Sequence, residues 1–130
     1  MCRAKSVSLT LIAVGTLAVA PAAAQEAGVT VDAVLTTGVV ERMPVDTASS
    51  FPADVGAVFL WTRVEGAAGT TLRHAWMHGG QEAVVELSIE GSPWRTWSTR
   101  RVLPEWTGEW RVEIRDEADN VLETVTFTVG

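Results

Sequence analysis

The chain has 130 residues with net charge −6 and one cysteine. This is one domain's worth of sequence, long enough to bury a core of its own without staples. The acidic balance disfavours nucleic acid and anionic lipid as partners.

Arg3 and Lys5 precede an uncharged apolar run from Val7 to Val19, followed by Pro21 and Ala22-Ala23-Ala24. A charged start, an apolar run and small residues before a cut are the parts of a secretory signal peptide. The run is shorter than the about 20 residues that span a bilayer. Residues 1–24 are therefore expected to be a cleavable signal, and 25–130 a single exported domain, periplasmic or extracellular, without stable membrane insertion. A retained anchor is the alternative. Cys2 lies ahead of the apolar run and leaves with it, so the remaining domain holds no disulfide. Loss of Arg3 and Lys5 takes the net charge from −6 to −8, leaving eight arginines and no lysine.

After the signal the chain is rich in Val, Thr and Trp, and its apolar residues alternate rather than recur at a helical period. Residues 29–35 read as a strand that Val39-Val40 continue after Gly38. Residues 41–54, with Pro44, Ser49, Ser50 and Pro52, read as a loop. Residues 55–63 are apolar on both faces, as in a central strand. Residues 72–77 form a strand ending at His78-Gly79-Gly80-Gln81, where the glycine pair suits a hairpin turn of positive φ. In 83–90, Ala83, Val85, Leu87 and Ile89 face inward. Gly91-Ser92-Pro93 turns the chain into a strand at 94–103. Trp110, Val112 and Ile114 face inward from the next strand, and Val125, Phe127 and Val129 from the last. About seven strands with turns every eight to twelve residues predict an all-β, immunoglobulin-like antiparallel β-sandwich, with a small closed barrel as the alternative.

Trp94-Arg95-Thr96-Trp97-Ser98 carries the most information about function. In an extended strand, residues three apart point to opposite faces. Trp94 is therefore expected in the core, with Trp110, and Trp97 on the outside with Arg95. An outward indole can be covered by a guanidinium from Arg95, Arg111 or Arg115, or by a ligand. The first reading makes the stretch a structural ladder. The second makes it a contact surface, for which Arg95, Trp97, Ser98, Trp106 and Arg111 are the candidate binding residues. Trp106 is expected to plug one end of the sandwich, and Trp61 and Trp76 to be core.

His74 and His78 would lie about 13 Å apart along a strand rising about 3.3 Å per residue. One metal ion with bonds of about 2.1 Å does not span that separation, so no metal site is expected. His74 is read as a hydrogen-bonded strand histidine. No nucleophile elbow or nucleotide-binding glycine loop is present, and no thiol follows residue 24, so neither catalysis nor a cofactor is expected.

Several segments resemble a bacterial family, the domain of unknown function twenty-nine-fourteen. They are Leu35-Thr36-Thr37-Gly38-Val39, Pro44-Val45-Asp46 and Phe51-Pro52-Ala53-Asp54-Val55-Gly56, then His74-Ala75-Trp76 and Trp94-Arg95-Thr96-Trp97-Ser98. Trp106-Thr107-Gly108-Glu109-Trp110-Arg111-Val112 and the ending from Val121 to Val129 complete the set. The resemblance extends over nearly all of 25–130 and departs from the family at Met77-His78. It implies an extracytoplasmic or membrane-associated β domain and assigns no catalytic residue or ligand. The expected function is a non-catalytic protein-interaction or cell-envelope binding module, its partner a cell-envelope protein or glycan. A carbohydrate-binding module stacking sugar on its tryptophans is the alternative, and an enzyme is third.

Overall fold

The computed structural model describes residues 28–130. The signal peptide expected at 1–24 lies outside the described residues. Nine strands follow in chain order: β1 (Thr30–Val40), β2 (Met43–Thr47), β3 (Ser50–Phe51), β4 (Gly56–Glu65), β5 (Thr71–His78), β6 (Gln81–Ser88), β7 (Trp94–Val102), β8 (Gly108–Arg115) and β9 (Val121–Val129). They form a four-stranded sheet, β2-β1-β4-β7, and a five-stranded sheet, β3-β9-β8-β5-β6. All pairings are antiparallel except β3 with β9.

The chain passes from one sheet to the other five times: between β2 and β3, β3 and β4, β4 and β5, β6 and β7, and β7 and β8. Those crossings, with hairpins β5–β6 and β8–β9 kept within one sheet, make the all-β sandwich immunoglobulin-like in plan. The seven strands expected from alternation are all present.

Residues 41–54 are not the simple loop expected: they contain β2 and β3. Pro44 lacks an N–H and is tolerated because β2 is an edge strand. The turn between β1 and β2 has only Glu41 and Arg42, at φ 51° and 65°. Two central residues of positive φ match the twist of a hairpin, but Asn and Gly are the usual occupants. Gly79 and Gly80 supply that geometry in the β5–β6 turn, at φ 58° and 84°.

Between the sheets, Leu35, Val58, Leu60 and Val64 meet Leu72, Trp76, Trp110, Val112, Ile114 and Phe127, all nearly inaccessible to solvent. Phe127 organises the aromatic part. It stacks on Trp110 at 5.6 Å and meets Trp76 and Phe51 edge-on at 6.2 and 5.7 Å.

Candidate functional site

β1 serves two partners in succession. Thr30–Thr36 pair with β4, and the stretch from Thr36 to Val40 pairs with β2. The second half continues past β4 into the hairpin with β2, whose tip packs on the outer face of β4. Register defines that face: Leu60 lies between Leu35 and Ser98 and points inward, so Trp61 points outward with Val34 and Trp97. Trp61 is nonetheless only 7% exposed, and its Nε1–H donates to the Arg42 carbonyl at the hairpin tip, 3.0 Å.

The tip reaches β7, the far edge strand of the sheet. The Arg42 guanidinium sits 5.5 Å over the Trp94 ring, and Arg95 Nη1 lies 3.1 Å from Met43 Sδ. Arg42, Met43, Trp61, Arg63, Trp94 and Arg95 thereby line a groove of about 570 Å³. On the hairpin beside it, Val40, Met43 and Val45 are 57%, 48% and 37% exposed. Val40 pairs with Met43 and Val45 with Gly38, which puts the three apolar side chains on one side of the ribbon.

The arginines divide by surface. On the five-stranded sheet, Arg73 pairs with Glu86 and Asp119, Arg111 with Glu113, and Arg115 with Glu82 and Glu113. Arg63 pairs with Glu65. Arg42, Arg95, Arg100 and Arg101 make no ion pair among the described residues, and all four lie on β7 or at the tip packed against it. In a chain of net charge −6, uncompensated positive charge gathers along one edge.

The candidate residues from sequence do not converge. Arg95 and Trp97 lie on the outer face of the four-stranded sheet, and Arg95 lines the groove. Arg111 lies on the outer face of the other sheet, where Nη2 approaches Met77 Sδ at 3.1 Å. Ser98 is 5% exposed and belongs to the core. Trp106 is half-buried at the end of the sandwich, over the Trp110 edge.

Two tryptophan expectations are corrected. Trp97 is half-buried as expected, but the cations over indole rings are Arg42 on Trp94 and Arg100 on Trp106. Arg111 and Arg115 cannot serve Trp97, because β7 pairs with β4 and the connection to β8 crosses to the other sheet. Trp94 is half-buried at the start of an edge strand, packed against the core, whereas Trp110 is buried as expected at 2% exposure.

Ser98 meets a histidine inside the sandwich. Its Oγ lies 2.6 Å from His74 Nδ1 and accepts the Trp76 Nε1–H at 3.1 Å. Indole nitrogen only donates, so Ser98 Oγ accepts from Trp76 and makes its second hydrogen bond with His74 Nδ1. Nε2 is buried without a partner, and burial pushes the His74 pKa down from 6.5 to about 4. The histidine is neutral and fully enclosed, in a place suited to fixing core geometry rather than to meeting a substrate.

At the other end of β7, Arg100 faces inward, in step with Ser98. Trp76, His78, Gln81, Arg100, Trp106 and Trp110 line a half-open cavity of about 180 Å³. His78 stacks on Trp110 at 4.3 Å and donates Nε2–H to the Thr107 carbonyl, 2.8 Å. Neither this cavity nor the hairpin groove was visible from sequence. The inward parity of Arg100, two positions after Ser98, was the one available signal.

The fold defines the class as an immunoglobulin-like β-sandwich with an arginine-rich edge. Residues 69–129 match the model of a family described as a protein of unknown function, DUF2914, and are similar to it. The resemblance read from the sequence holds over that stretch, which runs from the turn before β5 through β9. The earlier segments, Leu35 to Val39, Pro44 to Asp46 and Phe51 to Gly56, lie outside the match. Arg95, Trp97, Ser98, Trp106 and Arg111 fall inside it, and Arg42 and Trp61 outside. No curated protein matches the chain.

Proposed function

We propose that this is an exported, non-catalytic interaction module that docks an acidic, partly apolar segment of a cell-envelope protein along β7 and the β1–β2 hairpin. One observation carries the reading: Arg42 and Arg95, without a carboxylate partner among the described residues, meet at the hairpin tip and the start of β7, next to exposed Val40, Met43 and Val45. Charge in search of a counter-charge beside an apolar strip is what a partner of opposite sign recognises, with the charges steering encounter and the apolar contacts holding it. Glu41 and Arg42 add support, since left-handed backbone at non-glycine positions is a cost that functional surfaces retain.

The sugar-binding alternative calls for indoles exposed side by side. Trp61 is under the hairpin tip, Trp94 under Arg42, and Trp76 and Trp110 in the core, while half-buried Trp97 and Trp106 lie apart, on an outer face and at the end of the sandwich, so the burial pattern favours a protein partner. The charged start, apolar run and small residues of 1–24 support export. Mass spectrometry of the exported product should find an N-terminus at Gln25 or within a few positions.

The binding test is site-specific photocrosslinking in the producing cell. A photoreactive residue at Val45 should trap a discrete envelope protein, and the same residue at Val84, exposed on the other sheet, should not. Adding Arg42→Glu and Arg95→Glu should abolish the Val45 adduct. An equal adduct from Val84, or one indifferent to both charge reversals, overturns the proposal.

A further inference from the structure

We infer that the half-open cavity at the β7 end of the sandwich is a binding site for a small ligand bearing a carboxylate, with Arg100 as its anchor. This site is distinct from the hairpin groove. The argument begins with what Arg100 lacks. Its guanidinium makes no ion pair or hydrogen bond among the described residues, and its Nε is buried without an acceptor. The ring of Trp106, 5.6 Å away, is the group set against it. A charge taken partly out of water costs free energy unless paired, and removal of an unpaired one from a fold is often neutral or stabilising.

The ring N–H donors of Trp76, Trp110 and His78 in the lining are already committed. Trp76 Nε1–H goes to Ser98, Trp110 Nε1–H to the Trp106 carbonyl and His78 Nε2–H to the Thr107 carbonyl. Arg100 and the Gln81 side-chain amide are the side-chain donors left, and much of the remaining wall is indole and imidazole ring. A cavity of about 180 Å³ is far larger than a single water requires. A fixed cation, an amide donor and flat aromatic walls suit a planar anion on a compact body. A carboxylate matches the guanidinium fork. Two sources share this chemistry: a uronic acid sugar and an acidic amino acid.

The test uses the purified protein and follows the Trp106 and Trp110 indole N–H signals by NMR during titration with glucuronate, glutamate, glucose and inorganic phosphate. Glucuronate, glutamate or both should shift these signals saturably, and whichever does so identifies the source. Glucose and phosphate should not. Arg100→Gln should abolish the response, whereas Arg95→Gln in the hairpin groove should preserve it. Gln81→Ala, an exposed change that leaves the core untouched, should weaken binding about tenfold, the loss of one hydrogen bond to a charged acceptor. Arg100→Met should melt no lower than the parent while losing the carboxylate response. No saturable shift with either carboxylate, an equal response to glucose or phosphate, or unfolding of Arg100→Met, which would make Arg100 a structural residue, each overturns the inference.

Discussion

Ser98 shows how one hydroxyl can hold two buried groups at once. It accepts the Trp76 Nε1–H from β5 and hydrogen-bonds His74 Nδ1 on the same strand, linking a strand of each sheet across the core. Ser98→Ala would strand the indole proton in an apolar interior, at a cost of about 1–3 kcal/mol. His74 adds a pH dependence whose sign follows from its depressed pKa. The unfolded histidine binds its proton near 6.5 and the folded one only at about 4, so the unfolded state carries more protons in between. The stabilising contribution is complete above pH 6.5 and drains away as pH falls toward 4, by about 3 kcal/mol in all. Urea unfolding from pH 7 to pH 4 should show this slope, and His74→Gln should flatten it. An unchanged slope in the variant would assign the effect elsewhere. Burial also separates the tryptophans: Trp110→Ala should cost about 3–5 kcal/mol, as large aromatics lost from a core do. Half-buried Trp97 on an outer face should cost well under half as much in the same unfolding assay. Equal losses would place both rings in the core.

The β1–β2 hairpin is the element that turns a plain sandwich into one with a groove. Its turn places Glu41 and Arg42 in left-handed backbone, which costs an L-residue roughly 1–2 kcal/mol and which asparagine tolerates better. Glu41→Asn should therefore raise the melting temperature without disturbing the tip. Glu41→Pro cannot adopt φ 51° and should lift the tip from Trp61, seen as red-shifted tryptophan emission. Emission and melting unchanged by proline would mean that the tip does not cover Trp61. This element was also the least legible in the sequence. Strands such as β6 and β8 announce themselves by alternation, because one face is core and the other water. β2 has a proline at its second position, and its turn holds neither glycine nor asparagine, so local chemistry argued for a loop while tertiary contact made a strand. The site was legible only in part for a related reason. Parity put Arg95 and Trp97 on one face and Trp94 on the other, as found. Parity says nothing about which strand lies alongside. The connection from Leu103 to Thr107 carries the chain to the opposite sheet, so β8 and its arginines pair with β5 and β9 instead of β7.

At the scale of the whole molecule, the two sheets present different electrostatic surfaces although the chain is acidic throughout. The outer face of the five-stranded sheet interleaves Arg73, Arg111 and Arg115 with Glu82, Glu86 and Glu113, and such a face is neutralised within itself. The β7 edge holds Arg42, Arg95 and Arg101 without carboxylate partners among the described residues, so its field projects into solvent. Reversing charge should have opposite consequences on the two surfaces. Arg42→Glu with Arg95→Glu breaks no ion pair among the described residues and should lower the melting temperature only by the loss of the cation–π contact on Trp94, about 0.5–1 kcal/mol, but should slow association with the trapped envelope protein and weaken its dependence on salt. Arg73→Glu with Arg115→Glu sets like charges against Glu86, Glu82 and Glu113 and should lower the melting temperature while leaving association unaffected. Melting curves and association rates at two ionic strengths, measured on both double variants, resolve the two effects. Slower association from the Arg73 and Arg115 pair, with none from the Arg42 and Arg95 pair, would put the docking surface on the five-stranded sheet.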